Sequence, residues 1–354
     1  MEVVVAHVVV AVAVVEEVQT KVYCLTTTKF ILQWHITHKC NLRCKHCYQE
    51  EYDSTLTMED CTKVINDFVA LLKSKLQVGH INITGGEPLA SPILFDLLDL
   101  IDKTNLIVSF GILTNGTLLT EALTERLSKY KKLSLVQISL DGTKEVHDQI
   151  RGEGSFNRAV NGLKLLERFD IESMVAFTFH HDNYKEIKPL IKFCEKQHVD
   201  RFWADRYIPE GDDNLKIVDN AEFDYVRKVL VNESNKVFLN PFCKTKIHAN
   251  RAMQGIYSHS QCGYKCNAGL SLLVITANGD ILPCRRLPLK LGNIHENTLI
   301  GALTISSSLV SKIHEIPSKC RSCKHFNNCN GGAKCLTYAV KGKLNVEDVN
   351  CIEE

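Results

Sequence analysis

Between Phe30 and Asp205 the chain repeats one pattern six times, a short apolar run followed by a longer amphipathic one. The apolar runs are Phe30 to Thr37, His80 to Thr84, Leu106 to Thr114, Leu133 to Ser139, Ile171 to His180 and Val199 to Asp205. Runs this short read as strands, and the longer ones as helices. Thr57 to Lys75 is an example: Thr57 with Asp60 three residues on makes a capping-box start. Successive β-then-α units predict an α/β fold with a parallel sheet, wound into a barrel or laid out as an open doubly wound sheet. Either way, ligands sit at the carboxyl ends of the strands.

At 354 residues the chain suits two domains, or one large barrel with an appendage. Ile208 to Asn220, IPEGDDNLKIVDN, reads as the way out of the first domain. Lys plus Arg number 42 and Asp plus Glu 41, so no global basic field exists to hold nucleic acid or anionic lipid. The first 20 residues contain ten Val, but the apolar stretch Val3 to Val15 carries His7 and falls short of the ~20 residues that span a bilayer. No Lys or Arg precedes it, as a signal peptide requires. We assign no role to residues 1–29 and expect a strand-prone tail and no membrane partner.

Cysteine is the outlier. The 15 cysteines cluster, three between 40 and 47 and eight between 262 and 351, which favours thiolate ligation in a reducing cytoplasm over cross-linking. Cys40, Cys44 and Cys47 follow the first strand directly. A 4Fe-4S cube normally takes four thiolates, so three leave one iron open to bind a reactant. Half a zinc site is the competing reading.

This CxxxCxxC loop on a βα array resembles the signature of the radical S-adenosylmethionine (SAM) superfamily. The resemblance implies a partial (β/α)6 TIM-like barrel over residues 30–207. It also implies that the open iron chelates SAM, and that reductive cleavage yields a 5′-deoxyadenosyl radical that abstracts hydrogen from substrate. It implies SAM contacts from Gly85, Gly86 and Glu87 after strand two, with Glu87 facing the methionyl ammonium. Asn115 after strand three, Ser139 after strand four and Arg151 are the further candidates, and His46 is the adenine-side residue. The glycines are expected to let backbone approach the ligand.

The C-terminal cysteines resemble a SPASM domain, here residues 262–354, with 208–261 as linker and bridging helix. By that resemblance one auxiliary 4Fe-4S cluster takes Cys262, Cys266, Cys284 and Cys335, and the other Cys320, Cys323, Cys329 and Cys351. The family usually has a cysteine where Ala333 stands, so Cys335 is expected to reach through a looser turn at Gly331-Gly332, or else that cluster keeps an open iron. Asn278-Gly279 reads as a two-residue hairpin turn flanked by Ile275 and Ile281. Cys61 and Cys194 read as buried small hydrophobes, Cys243 as a possible stray ligand, and Cys24 as unassigned. Asp205-Arg206 reads first as an ion pair or cap, with a substrate contact as the second reading.

The expectation is therefore an enzyme that modifies a peptide or protein side chain by cross-linking or oxidation, using SAM, one SAM-binding cluster and two auxiliary ones. Its expected partner is an electron donor such as ferredoxin or flavodoxin; residues 1–29 are too few for a fused leader-recognition domain, so any leader is expected to be read by a separate protein or by this fold itself. A sulfatase-maturing-type oxidase or a tetrapyrrole-modifying enzyme shares the same cysteine map. A non-catalytic iron-sulfur or zinc protein is the reading of another class.

Overall fold

The computed structural model describes residues 29–49, 51–210, 215–239, 245–249, 251–254 and 264–353. Residues 1–28, with Cys24, lie outside them, as do Cys243 and Cys262. The six strands read from the pattern are β1 (Phe30–His35), β2 (Gly79–Thr84), β3 (Ile107–Thr114), β4 (Leu133–Ser139), β5 (Ser173–Phe179) and β6 (Arg201–Arg206). Between them run α1 (Met58–Lys75), α2 (Leu94–Lys103), α3 (Glu121–Ser128), α4 (Lys144–Arg151), α5 (Ser155–Arg168) and α6 (Ile187–Lys196). The capping box of α1 is complete: Asp60 N donates to Thr57 Oγ1 at 3.1 Å, and Thr57 N donates to Asp60 Oδ2 at 3.0 Å. Cys61 in α1 and Cys194 in α6 are fully buried in the core, as small hydrophobes.

Beyond β6 come α7 (Asn220–Leu239) and a further strand β7 (Lys246–His248), in the stretch read as linker. β7 is three residues long with Ile247 its one buried residue, too little apolar periodicity to mark it. β1 to β7 lie side by side in chain order, each parallel to the next. A doubly wound sheet reverses its order at a switch point, so this sequential sheet is the arc of a barrel.

The C-terminal part adds strands to the same sheet. β8 (Leu272–Ile275) runs parallel to the free edge of β1 and turns into β9 (Asp280–Leu282), which pairs with β10 (Gly292–Asn293). Ile275 faces Ile281 in register as expected, but the turn is longer than two residues. Gly279 N donates to Thr276 O and Thr276 N to Asp280 O, with Gly279 at φ +84° closing a three-residue loop. Helices α8 (Leu299–Ile305), α9 (Ser307–Ile313), α10 (Phe326–Cys329) and α11 (Lys334–Lys341) complete the chain.

Burial alternates along the arc. Phe30, Leu32, Trp34, Ile81, Ile83, Phe110, Ile112, Val136 and Ile138 are fully buried, each contributing about 1.5 to 3 kcal/mol where its side chain leaves water. On the opposite face Gln33, Asn82, Gln137 and Trp203 are only half-buried. Closed barrels fill that face with branched apolar residues, whereas here it is polar and partly open.

Candidate functional site

The loops that follow β1 to β4 meet at one rim. Gly86 N donates to Thr37 O at 2.7 Å and Glu87 N to Lys39 O at 2.8 Å, so the loop after β2 lies directly on the base of the cysteine loop. A Cβ on Gly85 would stand 2.3 Å from Thr37 O, and one on Gly86 2.4 Å from Lys39 O. Loop-on-loop contact by itself requires glycine at both positions. Glu87 is fully buried and braces the loop. Its carboxylate accepts from Thr114 Oγ1 at 2.6 Å, Asn115 N at 2.8 Å and Leu89 N at 3.0 Å, tying the β2 loop to β3. Burial raises its pKa, and those donors together with Arg151 oppose the rise.

Asn115 reaches the cysteine loop: its Nδ2 donates to Asn41 Oδ1 at 3.0 Å and lies 3.9 Å from Cys40 Sγ. Arg151, at the end of α4, reaches the same loop from the other side. Its Nε donates to Asp141 Oδ2 at 2.5 Å, one terminal nitrogen lies 3.8 Å from Cys44 Sγ, and the other lies 3.4 Å from His46 Nε2. Lys45 N donates to Ile150 O, pinning the loop to α4. Arg151 is thus anchored in a buried ion pair between α4 and the cysteines. Ser139 ends β4, half-buried beside this cluster.

Asp141, two residues after Ser139 in the loop that leaves β4, is the residue that sequence reasoning missed. It is fully buried, and burial alone would raise its pKa; Arg151, His46 and His147 outweigh burial and hold the carboxyl at about 2. His147 accepts from Asp141 N through Nδ1 at 3.1 Å, and burial lowers its pKa to about 4. The neutral ring therefore carries its proton on Nε2. His46 is lowered by burial to about 4 as well, and its Nδ1 is buried without a hydrogen-bond partner.

Burial pushes the Cys44 thiol up to about 11 and raises Cys40, against the pull of nearby cations. Each of these thiols lies in the field of the others, with Cys47 acting on both. Bare, they stay protonated, and a metal centre supplies the positive charge that makes them thiolates. Three sulfurs on one loop, with amide and guanidinium donors and an orphaned imidazole nitrogen beside them, would suit a cube with one vacant corner.

The C-terminal sulfurs form two further groups. Cys266, Cys284 and Cys335 act electrostatically on one another, as do Cys320, Cys323, Cys329 and Cys351. Cys262, the fourth sulfur expected with the first of these groups, lies outside the described residues. Asn330, Gly331 and Gly332 all have positive φ (54°, 84° and 76°), and this turn starts α11 so that Cys335 stands at its second residue. A Cβ on Gly332 would lie 2.4 Å from that of Asp348. All twelve described cysteines are free. Among the described residues no three His, Cys, Asp or Glu side chains converge on a point that could hold a single metal ion.

Buried ion pairs join these groups to the barrel. Arg206, ending β6, forks onto Asp348 at 2.6 and 2.9 Å and donates to Asn350 Oδ1 at 3.0 Å. Asp205 takes Arg286, whose other arm donates to Arg206 O at 2.6 Å. Asp205-Arg206 is therefore the ion-pair element of the first reading. Arg285, the residue after Cys284, forks onto Glu210 at 2.9 and 3.2 Å and donates to Tyr48 O at 3.1 Å. Its guanidinium also lies 3.7 Å over the Tyr48 ring, next to Cys47. No helix of the described residues is long and apolar enough to cross a membrane.

Comparison with known proteins agrees with this geometry. The model of the radical SAM superfamily matches residues 34–194, and that of the SPASM iron-sulfur cluster-binding domain matches residues 266–329. The mycofactocin maturase MftC of Mycobacterium tuberculosis is 26% identical over 353 residues, covering 91% of this chain and 82% of the relative. The AdoMet-dependent heme synthase of Methanosarcina barkeri is 26% identical over 352 residues, covering 93% and 97%. The crystal structure of Streptococcus suis SuiB bound to precursor peptide SuiA shares the fold, at TM-score 0.70 and 20% identity over 92% of this chain and 76% of that one. The chain belongs to the radical SAM superfamily: it is an enzyme carrying a SPASM domain, with S-adenosylmethionine and 4Fe-4S clusters as its cofactors.

Proposed function

We propose that the enzyme modifies a peptide or protein side chain, forming a cross-link or oxidising the residue, with one cluster on Cys40, Cys44 and Cys47 and two auxiliary clusters in the C-terminal part. The carrying observation is the three-sulfur loop set on the rim of a barrel whose open face is polar. When bound and reduced, the cluster and SAM supply a carbon-centred radical that takes a hydrogen atom from substrate. Arg151 and Asn115 hold the cysteine loop in register, while Gln33, Asn82, Gln137 and Trp203 offer hydrogen-bonding groups along the open face. Trp203 Nε1 already donates to Gln137 Oε1 at 3.0 Å across that face. The C-terminal cysteines would hold auxiliary clusters, which would supply an acceptor for the second electron that substrate oxidation releases.

The peptide substrate rests on the maturase name of MftC and on the SuiB complex with its precursor peptide. A low-potential donor such as ferredoxin or flavodoxin, a separate leader-recognition protein and a reducing, cytoplasmic setting complete the reading. The test supplies anaerobically reconstituted protein with SAM, dithionite and a short precursor peptide encoded beside the gene. Formation of 5′-deoxyadenosine with a changed peptide mass is the expected result; deoxyadenosine with no peptide change refutes the substrate class. A second reading, tetrapyrrole side-chain modification, is favoured by the full-length match to the heme synthase. Conversion of a porphyrinogen-type substrate in the same assay selects it.

A further inference from the structure

Lys334 is the first residue of α11, five residues after Cys329 and directly before Cys335. It is 5% exposed, which is rare for lysine unless a partner neutralises it. The partners present are neutral: Nζ donates to Glu315 O at 2.7 Å and to Leu344 O at 3.2 Å. Among the described residues no carboxylate reaches ion-pair distance of it. Burial lowers its pKa, opposed by the fields of Cys320, Cys266, Cys329 and Glu315, in that order. Those thiols come from both groups. A Cβ added to Gly331 would stand 3.3 Å from Nζ, so the turn after Cys329 passes close to the ammonium.

A buried cation without a counter-charge is costly, and the polypeptide here supplies carbonyl dipoles only. A four-thiolate cube is anionic and becomes more so on reduction, and nearby charge and hydrogen bonds set its potential. We propose that Lys334 is the shared counter-cation of the two auxiliary clusters and raises the reduction potential of both. The proposal rests on the reading that cubes occupy both sulfur groups. It concerns a fixed positive charge, so arginine should substitute for lysine and methionine should not.

The experiment is a redox titration followed by electron paramagnetic resonance on anaerobically reconstituted enzyme, wild type beside Lys334→Met and Lys334→Arg, with iron and sulfide counted for each. Expected in Lys334→Met is a fall of about tenfold in the equilibrium constant for reducing each auxiliary cluster, a shift of ~59 mV to lower potential for one electron. The cluster on Cys40, Cys44 and Cys47 keeps its potential, and Lys334→Arg stays near wild type. Unchanged auxiliary potentials, or a shift in only one of them, overturn the inference while leaving the cluster reading intact. Iron lost from Lys334→Met but kept in Lys334→Arg supports the counter-cation, whereas loss from both makes Lys334 a packing residue and overturns it. Wild type holding about four irons per chain in place of about twelve refutes the auxiliary clusters themselves, and the inference with them.

Discussion

Cys40, Cys44 and Cys47 come from eight consecutive residues, whereas the C-terminal groups gather sulfurs from positions as distant as Cys266 and Cys335 or Cys320 and Cys351. The first site is local: its loop is held by Lys45 on Ile150, Asn115 on Asn41, and the β2 loop beneath it. The second is closed by long-range ion pairs, Arg206 with Asp348 and Arg286 with Asp205. A local site tolerates loosening elsewhere, while a site assembled across the chain depends on every tie that brings its ends together.

The largest expected effect separates the two regions directly. Cys44→Ala removes the first cube, so iron falls by about four per chain and 5′-deoxyadenosine formation drops to background. Cys329→Ala disables an auxiliary site only, leaving SAM cleavage within about tenfold of wild type while substrate conversion ends. Deoxyadenosine analysis and peptide mass spectrometry read both. SAM cleavage by Cys44→Ala protein sinks the first-site assignment.

Next in size is the tie of the C-terminal region. Arg206→Met leaves Asp348 charged and buried without its partner, at a cost of about 3 to 5 kcal/mol in chemical unfolding. Iron loss should be confined to the C-terminal sulfurs, with the first cube's signal retained. Equal loss from all sites breaks the distinction between local and long-range assembly.

How much of this was legible follows the same division. Strand ends fell within about two residues of the reading and the α1 capping box matched residue for residue, because both depend on neighbours in sequence. The cysteine groups were legible as spacing. Unreadable were the facts created by packing: that Gly85 and Gly86 are pressed against residues 37–39, that Glu87 is spent on Thr114 and Asn115, and that Asp141 is the anchor of Arg151. An Asp-Gly after a strand looks like a turn, and only burial makes Asp141 an electrostatic centre. β7 and the C-terminal extension of the sheet were hidden because strands of three or four residues carry no period of their own.

Acid should strain the first region through its histidines. His147 is neutral in the fold with a pKa of about 4, below its unfolded value near 6.5. A lowered folded pKa means that the unfolded chain binds the proton better, so stability is full above pH 6.5 and falls as pH drops toward 4. At pH 5 this amounts to about 2 kcal/mol from His147 alone. His147→Asn can still accept from Asp141 N through its side-chain oxygen but does not titrate. The difference in unfolding free energy between pH 7 and pH 5 should shrink by about that amount in the variant. An unchanged difference removes His147 as a source of acid sensitivity.

The smallest effect tests whether the two regions are coupled at all. Arg285 follows Cys284 in sequence, yet its guanidinium serves Tyr48, the residue after Cys47. Its partners are only partly buried, so loss of the fork in Arg285→Met costs about 1 kcal/mol or less in stability. Function should feel it more, because the contact sets how the SAM-binding loop sits against the auxiliary site. Deoxyadenosine formed per chain should hold steady while product formed per deoxyadenosine falls about threefold to tenfold, since a displaced reactive geometry wastes radicals. Arg285→Lys keeps the charge but not the planar fork, and should fall between the two. If both variants convert peptide with wild-type efficiency, the bridge is an ordinary surface ion pair, and the local and long-range sites work without being held in register by this contact.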